Sequence, residues 1–535
     1  MTHSYPDVSR CPSRAWGAVA LALVIGLAAL PVPSAVAQRA QHAERSAPSG
    51  TQGGEAVRSE HAGAQRQLPA DVTTDQTVDL SGRTLRFKAT AGSIPLNNAE
   101  DGSLLAEVAY VSYVMEGDAH RPVTFVFNGG PGAASAYLDL GAIGPWRLPL
   151  STVSTPPALV PNRETWLDFT DLVFIDPPGT GYSRIAASGD EARRRFWSID
   201  GDADALAVFI RKWVEQTGRQ TSVKFIAGES YGGFRAPKVA HKLQDQGVGI
   251  RGLVMISPVI DFASFGERRH APMSWVSHLP SMAAAALDAK GKFDSNFDRA
   301  ALRDVERYAA GDYLLDLLKG ERDADAVARV SARVAALTGL DPALVKRLAG
   351  RVDSGTFQRE LHRSEGLIGS LYDPNVTAYD PNPTSPNSHY SDPVLDDTRA
   401  PITSAMTDLY QHVLNWRVDR PYELLNHEVS QQWGWGRGRA APQVVDDLRQ
   451  DLASDPLVRV LVVHGANDLV TPYFGTQMLL DQLPAYGSAD RLKLAVYAGG
   501  HMFYNRDASR RAFRDDAETM FRAALKPADA PATGQ

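Results

Sequence analysis

Short apolar runs bounded by Gly, Pro or Asp recur along the chain and predict buried strands. Continuous apolar strands are typical of a parallel sheet that helices cover on both faces. Between these runs, residues 202–216 and 236–245 are predicted to be helical, so strands and helices alternate. The predicted strands are residues 123–127, 172–175, 224–227, 253–256, 460–463 and 493–497.

The segment before these runs predicts strands of a different kind. Residues 77–80 and 84–87 alternate between polar and apolar side chains, and Ser81-Gly82-Arg83 separates them. Such alternation around a glycine turn indicates two half-buried strands. Residues 106–111 predict a third strand.

The middle of the chain, residues 263–400, is rich in Ala and predicted to be helical. Val327, Val330, Val334 and Leu337 recur at helical spacing. Asp341-Pro342 then predicts the cap and first residue of another helix. Either this block is a cap inserted into the α/β core, or it is an independent second domain. We expect an insertion, because strands resume at residue 460.

The two ends of the chain differ from the core. Residues 1–37 resemble a cleaved signal peptide, with Arg10 and Arg14 before an apolar run and Ala35-Val36-Ala37 at the cleavage site. The alternative is a retained membrane anchor, but the run is short for a span. Residues 38–70 and 528–535 have few large apolar side chains, which predicts a disordered linker and tail. The core then consists of residues 71–262 and 401–527.

Composition narrows the function classes. The 535 residues carry a net charge of −7 without a dense basic stripe, which argues against a nucleic-acid partner. The single cysteine, Cys11, lies in the predicted signal peptide. The mature chain is therefore expected to have no disulfide and no cysteine-based metal site. No His/Glu spacing indicates a metal ligand set, so we expect no metal and no cofactor.

A candidate nucleophile lies in Gly228-Glu229-Ser230-Tyr231-Gly232, between a predicted strand and a predicted helix. This is the context of a nucleophile elbow, in which glycines allow a sharp turn and leave the serine hydroxyl exposed. Acyl transfer also needs two backbone N–H donors for the developing oxyanion. Tyr231 is expected to supply one, and the loop Asn128-Gly129-Gly130-Pro131-Gly132 the other.

Two further candidates follow predicted strands near the end of the chain. Asp468 comes after residues 460–463, and His501 after residues 493–497. In open α/β sheets, ligands bind at the carboxyl ends of the strands. Ser230, Asp468 and His501 thus predict a triad in which His501 takes the serine proton and Asp468 orients it. His464 is the alternative histidine, but it precedes Asp468 and breaks the expected order.

Together these segments resemble the serine carboxypeptidase family over most of residues 105–505. The resemblance depends on the glycine loop at 128–132, on Asp176-Pro177-Pro178-Gly179-Thr180-Gly181-Tyr182-Ser183, on the elbow, and on the Asp468 and His501 segments. It implies an α/β-hydrolase fold, with a mostly parallel central sheet flanked by helices and a mainly helical cap. The absence of cysteines favours a bacterial-type member.

The resemblance also implies residue roles. Ser230, Asp468 and His501 take the triad roles, and the backbone N–H groups of Gly130 and Tyr231 form the oxyanion hole. The substrate-binding residues are expected to be Asn128, Gly129, Glu229 and Met502. Of these, Asn128 and Glu229 are expected to bind the terminal carboxylate of the substrate, and Met502 to line the pocket for the leaving residue.

The chain departs from the family at two other positions, Ala142 and Ala133. The family usually has a second Glu shortly before a Gly-Pro pair, whereas Ala142 precedes Gly144-Pro145 here. Ala133 stands where a cysteine often follows the glycine loop. Half of the acidic pair is therefore missing, which slightly favours an esterase, whereas Asn128 and Glu229 favour a peptidase.

The expected function is a secreted serine carboxypeptidase, periplasmic or extracellular, that acts on peptides and has no membrane attachment after signal cleavage. A Glu bonds a carboxylate only when one of the two carries a proton, so peptide binding is expected to favour acidic pH. One alternative is an esterase or acyltransferase on the same scaffold. Another is a non-catalytic binding module, although all three triad candidates are present. The oligomeric state stays open.

Overall fold

A ten-stranded sheet runs through the computed structural model. The structure describes residues 67–149, 158–187, 189–293, 297–386, 390–438 and 440–526. The strands are β1 (Val72–Leu80), β2 (Arg83–Asn97), β3 (Leu104–Met115), β4 (Val123–Phe127), β5 (Trp146–Arg147), β6 (Val160–Pro161), β7 (Asp171–Ile175), β8 (Arg184–Ile185), β9 (Lys224–Glu229), β10 (Gly252–Ile256), β11 (Leu367–Gly369), β12 (Thr377–Tyr379), β13 (Arg459–Gly465) and β14 (Leu492–Tyr497).

The strand order of the sheet is β1-β2-β3-β7-β4-β9-β10-β13-β14, with β8 paired to β3. The pairs from β1 to β7 are antiparallel, and those from β7 to β14 are parallel. Strands β5 and β6 form one separate hairpin, and β11 and β12 form another. Because β9, β10, β13 and β14 are parallel neighbours, their carboxyl ends lie at one edge of the sheet.

Helices cover the sheet and fill the segment between β10 and β13. The α-helices are α1 (Ala136–Leu138), α2 (Asp190–Phe196), α3 (Ile199–Gln216), α4 (Tyr231–Asp245), α5 (Phe262–Phe265), α6 (Pro272–Asp288), α7 (Arg303–Tyr308), α8 (Leu314–Lys319), α9 (Ala324–Thr338), α10 (Pro342–Arg347), α11 (Ser354–Glu360), α12 (Pro393–Asp408), α13 (His427–Gln431), α14 (Val445–Ser454), α15 (Tyr473–Leu480) and α16 (Asp507–Ala524). Shorter 3₁₀ or π turns are Asp139–Ile143, Trp166–Asp168, Arg299–Leu302, Ala309–Tyr313, Arg363–Glu365, Leu409–Val413, Ala489–Arg491 and Phe503–Asn505.

The predicted α/β-hydrolase fold class is confirmed, and each of the six apolar runs forms a strand within one or two residues of its predicted limits. Strand β2 is much longer than the predicted strand at residues 84–87, and it continues through Pro95. A proline cannot donate to a strand ladder and is found where no partner needs its N–H. The pairing of β1 with β2 ends at Val72 opposite Ala91, so no β1 residue lies opposite Pro95.

The predicted helices are also confirmed, with earlier starts. Helix α3 begins at Ile199, and the Ser198 side chain accepts a hydrogen bond from the N–H of Gly201. Helix α4 begins at Tyr231, directly after Ser230. Asp341 caps α10 with its side chain and Pro342 is the first helical residue, as the sequence predicts.

The helices between β10 and β13 share a hydrophobic cluster with loops that follow the last two strands. Trp275, Val276 and Leu279 of α6 belong to this cluster, and so do Leu469 after β13 and Ala498 after β14. The helical segment therefore packs on the loops that carry Asp468 and His501.

The signal-peptide, linker and tail predictions fall mostly outside the described residues, since residues 1–66 and 527–535 are not among them. The side chain of Leu68 is buried, and Glu107 accepts hydrogen bonds from the N–H groups of Gln67 (2.7 Å) and Leu68 (3.0 Å). Residues 67–70 thus pack with the core. Within the described ranges, no helix combines the length and the apolar character needed to cross a membrane.

Candidate functional site

Ser230 lies on a strained turn between β9 and α4. Its φ is 59° and its ψ is −121°, a conformation that non-glycine residues rarely adopt. The Ser230 N–H donates to the carbonyl of Ile256 at 2.8 Å, which ties the turn to the end of the neighbouring strand β10. A Cβ atom on Gly228 would lie 2.2 Å from the carbonyl oxygen of Gly232. The glycines of the motif are therefore required by the closeness of strand and helix.

His501 and Asp468 are paired and buried at the ends of β14 and β13. The His501 Nδ1–H donates to Asp468 Oδ2 at 2.8 Å. Asp468 is fully buried and His501 is only 2% exposed. Asp468 Oδ1 also accepts hydrogen bonds from the backbone N–H groups of Val470 (2.8 Å) and Thr471 (2.9 Å). This leaves Nε2 of His501 as the basic nitrogen, as general-base catalysis requires.

The electrostatics favour the protonated form of His501. Burial disfavours the imidazolium, but the charge of Asp468 and its hydrogen bond outweigh burial and raise the pKa of His501. Tyr372 contacts the His501 ring from the side, with ring centroids 5.2 Å apart and planes at 89°. The Tyr372 carbonyl accepts a hydrogen bond from the backbone N–H of His501 at 2.6 Å. The imidazole is thus held by the backbone, by an aromatic edge and by a carboxylate.

Ser257 and Thr471 join the loops that carry the triad. The Ser257 hydroxyl donates to the carbonyl of His501 at 2.8 Å, and the Ser257 N–H donates to Val463 at 2.7 Å. Thr471 Oγ1 lies 2.7 Å from Asp468 Oδ2, 3.0 Å from the carbonyl of Ser257 and 3.1 Å from His501 Nδ1. Neither residue was among the sequence candidates, because a single Ser or Thr in a loop carries no distinctive pattern.

The glycine loop after β4 lies against the start of α4. A Cβ atom on Gly129 would be 2.6 Å from the Tyr231 nitrogen and 2.6 Å from the Glu229 carbonyl oxygen. Gly130 has a φ of 101°, and a Cβ there would be 2.5 Å from the nitrogen of Gly132. Only glycine permits this closeness, which sets Gly129 against the backbone of Tyr231, the predicted oxyanion donor that follows Ser230. Gly130, the other predicted donor, is the next residue of the same loop.

Asn128 and Glu229 meet beside this loop. Glu229 is 2% exposed and Asn128 is 3% exposed. The Asn128 Nδ2 donates to Glu229 Oε2, while its Oδ1 accepts the N–H of Leu138 at 3.0 Å. Burial raises the pKa of Glu229 to about 7, although the charge of His501 and hydrogen bonds from Tyr504 and Asn128 act in the other direction. A protonated Glu229 is therefore accessible near neutral pH.

Tyr504 is a site residue that the sequence analysis missed. Its hydroxyl lies 2.9 Å from Glu229 Oε1 and 3.0 Å from Oε2, and the side chain is buried. Its position three residues after His501 is the only feature of the sequence that could have indicated Tyr504 as a site residue. Ala142 is buried in the turn Asp139–Ile143, and Met502 is partly buried against the hydrophobic cluster that contains Ala142 and Tyr504.

His464, the competing histidine, is not part of the pair of His501 and Asp468, although the charges of both act on it. It is fully buried in β13, and neither ring nitrogen has a hydrogen-bond partner among the described residues. Burial lowers the pKa of His464 to about 4, so the ring is neutral over the physiological range. Its side chain is a packing element of the sheet.

Comparison with known proteins points to one family. Residues 82–279 match the family model described as serine carboxypeptidase. The pheromone-processing carboxypeptidase KEX1 of Yarrowia lipolytica is 24% identical over 405 residues, which cover 74% of this chain and 57% of that protein. The corresponding protein of Pyricularia oryzae is 30% identical over 162 residues, covering 30% of this chain and 23% of that protein.

A solved structure shows the same fold. The prohormone-processing carboxypeptidase Kex1(delta)p from Saccharomyces cerevisiae superposes with a TM-score of 0.52 at 16% identity, covering 81% of this chain and 91% of that chain. The present chain spans less than two thirds of the length of the curated relatives it matches. These relatives come from fungi, so the comparisons give no support to the bacterial type expected from the absence of cysteines.

Proposed function

We propose that this member of the serine carboxypeptidase family releases amino acids one at a time from the C-termini of peptides, through an acyl-enzyme on Ser230. The observation that carries the proposal is the buried pair of Asn128 and Glu229 beside the nucleophile turn. A hydrolase without terminal specificity has no need for a buried carboxyl group whose pKa is near 7 at this place. The triad explains hydrolysis, and the pair explains its restriction to a free carboxyl end.

In the proposed reaction, His501 Nε2 removes the proton of the Ser230 hydroxyl as its oxygen attacks the last peptide carbonyl. Asp468 stabilises the imidazolium that forms. The N–H groups of Gly130 and Tyr231 stabilise the oxyanion. His501 then protonates the leaving amine, and the terminal amino acid departs. Water, activated by the same histidine, hydrolyses the ester and regenerates Ser230.

The terminal carboxylate of the peptide is bound by Glu229 in its protonated form, together with Asn128 and the adjacent Gly129. Met502 lines the pocket of the residue that leaves. Because the carboxylate would repel an ionised Glu229, peptide binding is expected to be tightest at acidic pH. We also propose export of the protein to the periplasm or the cell exterior, directed by residues 1–37 and without membrane attachment after their removal.

The test is a digest of one peptide with a free C-terminus and with an amidated C-terminus, at pH 5 and pH 7.5. We expect stepwise loss of single residues from the free peptide only, with a lower KM at pH 5, and no cleavage by Ser230→Ala. Equal cleavage of both forms, or hydrolysis of esters alone, would replace this proposal with the esterase alternative. Binding of peptides without any turnover would favour a non-catalytic module.

A further inference from the structure

The Tyr504 hydroxyl is buried directly on the carboxyl group of Glu229. It is 2.9 Å from one carboxyl oxygen and 3.0 Å from the other, and the Asn128 amide donates from a different direction. The carboxyl group therefore lies between two neutral partners.

The ring of Tyr504 lies next to the position where this chain lacks an acid. Its Cε2 is 3.0 Å from where a Cβ on Gly141 would be, and Gly141 precedes Ala142 in the chain. Ala142 replaces the second Glu that the family resemblance leads us to expect. The small residues at 141 and 142 leave room for the aromatic ring, and the ring brings its hydroxyl to Glu229.

We propose that Tyr504 takes the place of the missing second acid as a specificity-determining residue. Its hydroxyl fixes the Glu229 carboxyl group against Asn128 so that the pair can receive the terminal carboxylate of a peptide. This inference rests on the carboxypeptidase function proposed above.

A tyrosine changes the chemistry of the pair. Two adjacent acids share one proton, because both cannot ionise at close range. Burial, and next the charge of Glu229, raises the pKa of Tyr504 well above its usual range, so the phenol keeps its proton. Glu229 thus gains a neutral donor in place of a competing carboxylate. The donor stabilises the ionised form of Glu229 and limits the pKa rise that burial causes.

The other ionisable groups around Glu229 act on it through their charge and not through a hydrogen bond. The charge of His501 lowers the pKa of Glu229, and the charge of Asp468 raises it. The charge of Glu229 also contributes to the high pKa of Tyr137 and of Tyr372, both of which burial raises first. Among these groups, Tyr504 is the one whose hydroxyl donates to Glu229.

The decisive variant is Tyr504→Phe in the full-length chain, because it keeps the ring and removes only the hydroxyl. Loss of a donor to the carboxylate raises the pKa of Glu229, since the ionised form loses a hydrogen bond. We expect the pH at which the peptide KM begins to rise to increase by about one unit, the usual size of such an effect. We also expect the peptide KM at pH 5.5 to increase about fivefold, because Glu229 is less firmly held.

The measurement is the pH profile of KM and kcat between pH 5 and pH 9, for a peptide and for an ester that lacks a free carboxylate. The ester values are expected to stay at the wild-type level. Tyr497→Phe is the matched control, since Tyr497 is another buried tyrosine whose hydroxyl donates to a carboxylate, Asp516, at 2.7 Å. Its peptide profile is expected to match the wild type.

An unchanged KM profile in Tyr504→Phe, or equal losses with peptide and ester, would overturn the inference while leaving the carboxypeptidase function intact. Equal cleavage of free and amidated peptides by the unaltered protein would overturn both. If Tyr504→Phe does not fold, Glu229→Gln provides the test. A neutral side chain there is expected to make the peptide KM independent of pH from 6 to 8, and a persisting rise would contradict the role assigned to the pair.

Discussion

At the scale of single residues, Thr471 shows how Asp468, the carboxylate proposed to orient His501, is held in place. Its hydroxyl is within hydrogen-bond distance of Asp468 and of the Ser257 carbonyl, and its backbone N–H also donates to Asp468. A hydroxyl has one proton to donate, so it bonds one of these two acceptors at a time. The residue holds Asp468 in the plane that His501 needs.

We predict that Thr471→Val lowers kcat about tenfold for peptides and esters alike. The change keeps the shape of the side chain and removes a hydrogen bond to a charged group, for which about 1.5–3 kcal/mol is typical. Thr476→Val is the control, because the Thr476 hydroxyl is buried without a hydrogen-bond partner among the described residues. Equal kcat values for the two variants would remove Thr471 from the orientation of Asp468.

The pKa shifts of Glu229 and His501 predict opposite effects of pH on peptide binding and on the rate of catalysis. As pH rises from 6 to 8, Glu229 loses its proton around a pKa of about 7, and a peptide carboxylate is then repelled. His501, whose pKa is raised above its ordinary value, gains its basic form as pH rises. We expect the KM of a peptide to rise with pH and the KM of an ester to stay constant, while kcat rises with pH for both, measured by initial rates in one buffer series. Parallel KM profiles would show that Glu229 does not meet the substrate carboxylate.

At the scale of elements, Arg506 connects the loop after β14 to α6 and to the loop after β11. Its guanidinium bonds Asp288 at the end of α6 at 2.6 Å, and Asp373 in the loop after β11 at 3.2 Å. Asn467, the neighbour of Asp468, donates to the same Asp288 at 2.6 Å. One cluster of polar contacts therefore fixes α6 relative to the loops after β13 and β14.

We predict that Arg506→Met lowers the free energy of unfolding by about 2–4 kcal/mol at pH 7, because two buried carboxylates then face each other without a cation. The loss should be smaller at pH 5, where the carboxyl groups can take up protons. Urea denaturation at both pH values measures this difference. Arg459→Met is the control, since the partner of Arg459, Asp490, is 62% exposed and such pairs contribute about 1 kcal/mol or less. Equal losses for both variants would contradict the prediction.

At the scale of the whole molecule, burial raises the pKa of several carboxyl groups, among them Asp202, Asp373 and Asp392. For four others the pKa is raised to about 6 or above. The values are about 8 for Asp139, about 6 for Asp176 and about 7 for Glu229 and Asp451, compared with ordinary values of 3.8 and 4.5 for Asp and Glu. Between about pH 4 and pH 8 the folded chain thus holds more protons on these groups than the unfolded chain. The free energy of unfolding therefore falls as pH rises through this range.

We predict that the protein resists denaturant better at pH 5.5 than at pH 8. Buried His464 acts in the opposite direction between its ordinary pKa of 6.5 and its lowered pKa of about 4, because there the unfolded chain binds a proton that the folded chain does not. Asp451→Asn should reduce the difference between pH 5.5 and pH 8, since Asp451 lies in a helix remote from the triad and Oδ2 has no partner within the described part of the chain.

The guanidinium midpoint at each pH is the measurement. Asp397→Asn, at an exposed position of α12, is the control and is expected to leave the difference unchanged. A wild-type midpoint that rises from pH 5.5 to pH 8 would contradict the assignment of raised pKa values to the buried acids.

Much of this fold could be predicted from local patterns. Apolar runs predict strands because a strand that is buried on both faces excludes polar side chains, and the runs at residues 123–127 and 460–463 do so. The nucleophile turn is local at Gly228, whose Cβ would meet the Gly232 carbonyl. Gly232 must be a glycine because the end of β4, at Phe127 and Asn128, lies against it. The extent of β2 was missed, because its length depends on the pairing with β3, which continues to Asn97 opposite Leu104.

The sequence by itself determined the elements, the elbow and the order of the candidate triad, since these depend on side-chain periodicity and backbone conformation within a few residues. Only the tertiary structure decided which side chains meet across the sheet edge. Tyr504 and Glu229 are 275 residues apart, and Arg506 and Asp288 are 218 apart. Their contacts follow from a strand order that is not the chain order. No local pattern encodes that order, because it results from the packing of the entire core.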